Sequence, residues 1–168
     1  MADTRLELAC RQIQFARDYT LSLLQDIDDT DWCRQPQEGV THVAWQVGHL
    51  AMAQYGLCLF RMRGRKPDDA QLMSSMFRKK FSKGTTPDPD PTRNPSPAEI
   101  REVFHRVHRQ AMEELPTYSE TVLNEPVDMP YAVFPVKLGG LFFCAMHEMI
   151  HAGQLGLLRR LMGKATIR

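Results

Sequence analysis

Residues 141–163 form the stretch LFFCAMHEMIHAGQLGLLRRLMG. It is largely apolar and ends in Gly163, so it predicts a long helix from about Gly140 to Met162. His147 and His151 lie four residues apart, and on such a helix they project about 40° from each other, one turn above the other. Two imidazoles so placed can converge on a single metal ion.

The same stretch contains the pattern His-Glu-x-x-His, which is typical of zinc proteases with the glutamate as general base. Such enzymes commonly take a third ligand from a downstream Asp, Glu or His, and no Asp, Glu, His or Cys follows His151 in this sequence. A protease is therefore disfavoured, and a third ligand must come from upstream. Glu148 is then either a partner that orients a ligand imidazole or an exposed charge. Gln154, on the histidine face, would hydrogen-bond either a ligand on the metal or the backbone.

Upstream, residues 42–60 read HVAWQVGHLAMAQYGLCLF and predict a second apolar helix, which carries His49. A histidine buried on a core-facing helix needs a partner, so His49 is either a hydrogen-bonded core residue or the third ligand. The position of all three histidines on the two most apolar helices favours a shared metal ion. Trp45 would line the pocket or belong to the core, and His42 would lie at the pocket mouth, cap the helix or lie at the surface. Cys144 is the alternative ligand if His49 is not one.

The rest of the chain predicts two further long helices and a long connection. The four predicted helices are Thr4 to about Asp29, Val43 (after an N-cap at Thr41) to about Arg63, Ser96-Pro97 to about Leu115, and Gly140 to Met162. A short extra helix is expected within residues 68–81, and residues 117–140 form either a hairpin or an ordered loop. The prolines within residues 83–97 predict an extended crossover. The pattern predicts an all-α fold, a single four-helix bundle domain over residues 1–168 with a proline-rich crossover between helices 2 and 3.

The composition disfavours several classes of protein. The formal net charge is +1, so no general attraction to nucleic acid or to an anionic membrane is expected. No apolar run approaches the ~20 residues that span a bilayer, and the N-terminal residues lack the apolar core of a signal peptide. The four cysteines lie far apart without a Cys-x-x-Cys pair, which favours reduced, buried thiols in a cytoplasmic protein.

Two motifs together resemble the DinB/YfiT-like superfamily of metalloenzymes. The first is Trp-x-x-Gly-His-Leu over residues 45–50, and the second is His-Glu-x-x-His-x-Gly-Gln over residues 147–154. The helix order and the long middle connection also fit, so the resemblance covers nearly the whole chain. It implies a four-helix bundle, often a dimer, with a zinc or nickel ion on His49, His147 and His151. Characterised relatives include S-transferases and isomerases that use low-molecular-weight thiols, and others are described as hydrolases.

The leading hypothesis is therefore a metal-dependent enzyme of the thiol S-transferase or hydrolase kind that acts on a small molecule. Three imidazoles leave a tetrahedral ion with an open position, as in catalytic rather than structural zinc sites. The expected cofactors are zinc or nickel and a low-molecular-weight thiol. The expected partners are a small-molecule substrate and a second copy in a homodimer, with neither nucleic acid nor a membrane. The alternative is a non-catalytic helical bundle, a binding or dimerisation module whose histidines make only internal hydrogen bonds.

Overall fold

The structure, a computed structural model, describes residues 4–167 of the chain, and its regular elements are helices. Within these residues there is no strand, only an isolated antiparallel bridge between Pro126 and Val136. The helices are α1 (Thr4–Leu24), α2 (Val43–Gln54), α3 (Arg61–Arg63), α4 (Asp69–Leu72), α5 (Ser75–Lys80), α6 (Pro97–Glu114), α7 (Glu120–Leu123) and α8 (Lys137–Leu161). The predicted all-helical class is confirmed.

The core lies between the four long helices α1, α2, α6 and α8. Helix α1 packs along α8, while α2 packs on α6 and also contacts α8. Each helix turns an apolar stripe inward. In α6 the buried side chains follow the i, i+3, i+4, i+7 spacing of one helical face: Ile100, Val103, Phe104 and Val107. This pairwise packing supports the four-helix bundle and its crossover, which stay predictions. None of the described helices has the length and apolar character needed to cross a bilayer.

Helix α2 continues through a π turn, Tyr55–Phe60, into α3, so the helical run matches the second predicted helix. Its N-cap is His42, not Thr41 as predicted. The His42 ring accepts a hydrogen bond from the backbone N of Trp45 at 3.1 Å, and this bond satisfies a free N–H of the first turn. The π turn contains about one residue more than an α-helical turn. The side chains after it therefore point in a different direction around the helix axis than they would in an uninterrupted α-helix.

The proline-rich segment between α5 and α6 contains a short 3-10 turn, Pro91–Arg93, as its regular element. Helix α6 begins as predicted: Ser96 Oγ accepts a hydrogen bond from the backbone N of Glu99 at 3.2 Å, and Pro97 occupies the first helical position. The short helix expected within residues 68–81 is instead two helices, α4 and α5.

The segment before α8 is an ordered loop, which settles the alternative left open for residues 117–140. It contains α7, and it closes through the bridge, where Val127 N donates to Pro135 O at 3.1 Å and Lys137 N donates to Glu125 O at 2.9 Å. Because that closure fixes Lys137, α8 begins there, a few residues before the predicted start. At the other end of the chain, α1 ends at Leu24, before the predicted end.

Candidate metal centre

Three histidine side chains, one on α2 and two on α8, lie together in a single cluster. The ring centroids of His147 and His151 are 4.5 Å apart, and the His49 ring lies 5.3 Å and 4.9 Å from them. One ring nitrogen of each histidine lies within 4.8 Å of the others. The Nε2 atoms of His147 and His151 are 3.2 Å apart. This geometry confirms the prediction that these three residues could hold one metal ion.

Two of the rings are fixed by hydrogen bonds that their Nδ1–H groups donate, and their Nε2 atoms remain available to bind a metal. His49 Nδ1 donates to the carbonyl O of Phe81 at 2.8 Å, and His151 Nδ1 donates to Oε1 of Gln46. Metal-ligating histidines usually have such a partner, which sets the tautomer and the ring orientation. Gly48 allows the first bond, because a Cβ at this position would lie 2.6 Å from the Phe81 ring. The donor set therefore fits a divalent cation.

Burial keeps the three imidazoles neutral. Desolvation, with a smaller contribution from His49, lowers the pKa of His147 to about 4. Desolvation also lowers the pKa of His151 to about 3, together with charge repulsion from His147 and His49. Burial lowers the pKa of His49 as well. Because a metal binds the neutral imidazole, the cluster can take up a cation at neutral pH without first losing protons.

The cluster forms part of the wall of a cavity of about 470 Å³, a size typical of small-molecule sites. Trp45 lies in this wall, with its ring stacked on His49 at 4.8 Å between centroids and 6° between planes. Its indole N–H donates to Thr85 Oγ1 at 3.0 Å. The cavity is lined by Trp45, His49, Met52, Ala53, Gly56, Leu57, Arg61, Lys83, Tyr131, Phe143, His147 and His151.

One known family matches the chain over most of its length. The profile of the DinB superfamily aligns with residues 12–155. The chain belongs to the DinB superfamily. All three histidines of this DinB-superfamily protein lie inside the matched range, as do the helices α2 and α8 that hold them, except for the last turns of α8. Comparison with curated proteins found no match.

Glu148 of this DinB-superfamily protein is bonded to α1 rather than to the histidines. Its Oε1 accepts from Arg17 Nε at 2.8 Å and its Oε2 accepts from Arg17 Nη2 at 3.3 Å. The two side chains are only 3% and 1% exposed. The prediction that Glu148 orients a ligand imidazole is therefore wrong, and so is the alternative of an exposed charge. Its side of α8 faces α1, so the carboxylate neutralises a buried guanidinium.

Two further predicted site residues have other positions. His42 is fully buried as the N-cap of α2, and its Nε2–H donates to the carbonyl O of Asp88 at 2.9 Å. It does not line the cavity, so its predicted place at the pocket mouth is wrong, and the capping alternative is right. Gln154 Oε1 accepts from Gln46 Nε2 at 2.7 Å, and Gln46 in turn holds His151. Gln154 thus acts on the cluster through Gln46, which neither predicted role described.

The alternative ligand Cys144 is a core residue. Its Sγ lies 3.5 Å from the Sγ of Cys58, and both thiols are free and buried. Since His49 already completes a three-histidine group, Cys144 is not needed as a ligand.

Reasoning from the sequence missed Arg17 and Gln46. Arg17 lies four residues after the buried Ile13 on the apolar face of α1, and a cation at such a position predicts a buried acidic partner. Gln46 lies three residues before His49, on nearly the same face of α2, so a bond to a ligand histidine could have been predicted. The Phe81 carbonyl gives no sequence signal, because any residue has one.

Proposed function

We propose that this protein is a metal-dependent enzyme that transfers a low-molecular-weight thiol to a small molecule, with hydrolysis as the second candidate reaction. The observation that supports this most is the three-histidine cluster in the wall of a 470 Å³ cavity. His49, His147 and His151 would supply three ligands, the number found in catalytic zinc sites. A zinc or nickel ion held there would act as a Lewis acid and lower the pKa of a thiol or water.

The residues around the histidines favour thiol transfer over hydrolysis. No Asp or Glu within residues 4–167 lines the cavity. Hydrolysis by water gains from a general base, whereas a thiolate is already a strong nucleophile. The carboxylate of the His-Glu-x-x-His motif cannot serve as that base, because Arg17 holds Glu148 in the core.

The chain itself would orient the ligands and shield the reaction from water. Gln46 and the Phe81 carbonyl fix two imidazoles. An aromatic pair, Tyr131 and Phe143, with centroids 4.7 Å apart, adds an apolar wall. Such a wall excludes water and strengthens the electrostatic interactions inside the cavity.

Metal content tests the proposal directly. The purified protein is expected to bind one zinc or nickel ion per chain, as measured by elemental analysis after equilibration with each metal. His147→Ala should reduce the bound metal to a trace. His105→Ala removes an exposed histidine on α6 and should leave the metal content unchanged. Equal metal content in both variants, or a wild-type protein that binds no metal, would show the proposal to be wrong.

The reaction type is tested with the metal-loaded protein. We expect it to accelerate the conjugation of a low-molecular-weight thiol to an aromatic electrophile, measured as loss of free thiol. The acceleration should disappear in His147→Ala and persist in His105→Ala. Release of an alcohol from an ester without thiol consumption would instead support hydrolysis.

One observation favours the non-catalytic alternative: each ring has a protein hydrogen-bond partner, namely Phe81, Gln46 or another histidine of the cluster. A chelator separates the two cases, since a ligand bound by the folded state alone stabilises it. At metal concentrations of about 100 Kd, removal of the metal should lower Tm by about 5–10 °C. An unchanged Tm would support the binding or dimerisation module.

A further inference from the structure

We propose that the small molecule bound in the histidine cavity carries a carboxylate, which Arg61 and Lys83 bind while its apolar body lies against the aromatic wall. The inference rests on the proposed function only in naming this molecule a substrate. The binding of the acid itself depends on the two cations and can be measured without a metal.

The cavity carries an unbalanced positive charge. Of the residues that the structure describes, two cations, Arg61 and Lys83, line the cavity, and no acidic side chain does. The remaining wall, apart from the neutral histidines, is apolar or aromatic. A neutral apolar ligand would leave both cations without a partner, whereas an anionic group would pair with them.

Two nearby cations are already paired with acidic side chains. Arg63, two residues after Arg61, forms ion pairs with Asp69 at 2.8 Å and Glu114 at 2.6 Å. Lys66 reaches Glu114 at 3.4 Å. Within residues 4–167, no acidic side chain forms an ion pair with Arg61 or Lys83, and both are exposed. Asp69 and Glu114 thus pair with Arg63 and Lys66 and not with the two cations that line the cavity.

The π turn of the second long helix accounts for the position of Arg61. In an uninterrupted α-helix, Arg61 and His49 would project about 120° apart. The extra residue of the π turn Tyr55–Phe60 removes about 100° of that difference. The two side chains then point within about 20° of each other around the helix axis. Because of this turn, the guanidinium joins the same cavity as the imidazole. π turns of this kind are frequent at functional sites.

Lys83 is held near the cluster by bonds on both sides of it. Two residues before it, the Phe81 carbonyl accepts from His49 at 2.8 Å, and two residues after it, Thr85 Oγ1 accepts from Trp45 at 3.0 Å. The short segment that carries Lys83 is therefore fastened to the two stacked rings of the cavity wall.

The chemistry of the cavity selects a small carboxylic acid with an apolar or aromatic body. A guanidinium matches the planar carboxylate with two parallel donors, and an ammonium adds a point charge. The volume of about 470 Å³ suits a molecule of this size. The apolar body would contact the Tyr131–Phe143 pair.

The test compares 3-phenylpropanoate with 3-phenylpropan-1-ol, two probes of nearly equal shape that differ in charge. Each is titrated into the full chain by NMR, with metal removed by chelation and again after zinc loading. The metal-free titration is needed because a carboxylate can also bind a metal ion directly, which would hide the contribution of the two cations. In metal-free wild type we expect the acid to bind about tenfold more tightly than the alcohol. Arg61→Gln and Lys83→Gln should each lower the affinity for the acid by about fivefold and leave the affinity for the alcohol unchanged.

Charge-matched controls are available on neighbouring segments. Arg65→Gln and Lys79→Gln remove exposed cations that do not line the cavity, and acid binding should stay within twofold of wild type. Equal affinities for acid and alcohol, no binding of the acid at millimolar concentration, or equal effects of cavity and control substitutions would overturn the inference. These results would leave metal content untouched. Loss of metal binding with the acid preference intact would overturn the proposed function instead.

Discussion

Gln46 is the residue that connects the histidine cluster to its surroundings. It is almost fully buried, and its carbonyl oxygen accepts from His151. Its amide donates to Thr41 Oγ1 at 3.0 Å and to Gln154 Oε1 at 2.7 Å. Since both ends of the amide are used, its orientation is fixed, and so is the direction of the His151 Nε2 lone pair.

Gln46→Leu should weaken metal binding without abolishing it. The substitution keeps the side-chain volume but removes the acceptor of His151 Nδ1, and the loss of such partners typically costs about 10–100-fold in metal affinity. Competition titration against a chelator measures the effect. Gln71→Leu, at an exposed position on α4, serves as the control and should bind metal like wild type. Equal affinities in the two variants would mean that the His151 ring is held by packing alone.

Glu148→Gln should lower stability rather than metal content. It leaves the buried Arg17 without a counter-charge, which is expected to reduce the free energy of unfolding by about 3 kcal/mol. Urea denaturation measures this. Glu102→Gln, which removes an exposed partner of Arg106, should cost at most about 0.5 kcal/mol. A stable Glu148→Gln protein that has lost activity would instead identify Glu148 as a catalytic base.

The histidines could be predicted from sequence because their signal is local or compositional. The four-residue spacing on α8 fixes two of them, and the one ionisable side chain of the apolar helix α2 marks His49. The role of Glu148 could not be predicted in this way. A helical wheel gives the direction of its side chain, but Arg17, its partner, lies 131 residues away in the sequence. The helical wheel does not show which neighbouring helix packs against that side of α8.

At the level of helices, the close approach of α2 and the residue after α5 sets the geometry of the site. The Phe81 ring lies against Gly48, where no side chain separates it from the helix. The Phe81 carbonyl can then reach the Nδ1 of His49. A side chain at position 48 would push this residue outward.

Gly48→Ala is expected to destabilise the protein by about 1–3 kcal/mol and to weaken metal binding, because the added methyl group must displace the Phe81 ring. Gly153→Ala is the matched control on α8. A Cβ there has no neighbour within 4 Å, so the substitution should stabilise the helix by about 0.5–1 kcal/mol. Thermal unfolding and chelator competition measure both quantities. A Gly48→Ala protein as stable as wild type would show that Phe81 can move without cost.

Helix boundaries were predictable where a capping side chain specifies them and not where tertiary contacts do. Ser96 and Pro97 mark the start of α6 in the sequence, and the structure has the helix begin there. The start of α8 at Lys137 depends on a bridge that closes the preceding loop. The π turn Tyr55–Phe60 contacts α6 and α8, and the apolar pattern of the sequence predicted only a continuous helix there.

On the scale of the whole molecule, α1 and α8 leave an apolar groove of about 710 Å³ open to the surface. Phe15, Met146 and Ile150 in this groove are 66%, 56% and 57% exposed. Arg11 and Gln12 also line it. A contiguous apolar surface beside polar residues is typical of a protein interface.

We propose that this groove is the interface of the homodimer expected from the sequence, since a twofold axis would place the same apolar side chains of two copies against each other. Sedimentation at micromolar concentration should give a dimer. Ile150→Glu should give a monomer, because it would bury a charge in the interface. Met76→Glu, at a 79% exposed position elsewhere, should remain a dimer. A monomeric wild type would exclude the proposal.

The guanidinium of Arg17 joins all four long helices. It extends from α1 to Glu148 on α8, to Gln54 Oε1 on α2 at 2.7 Å and to the Phe104 carbonyl on α6 at 3.0 Å. If any one helix detached, this charge would be left partly unsatisfied in a dry interior. The four helices should therefore open together, and their slowest amides should exchange with deuterium at one common rate set by global unfolding.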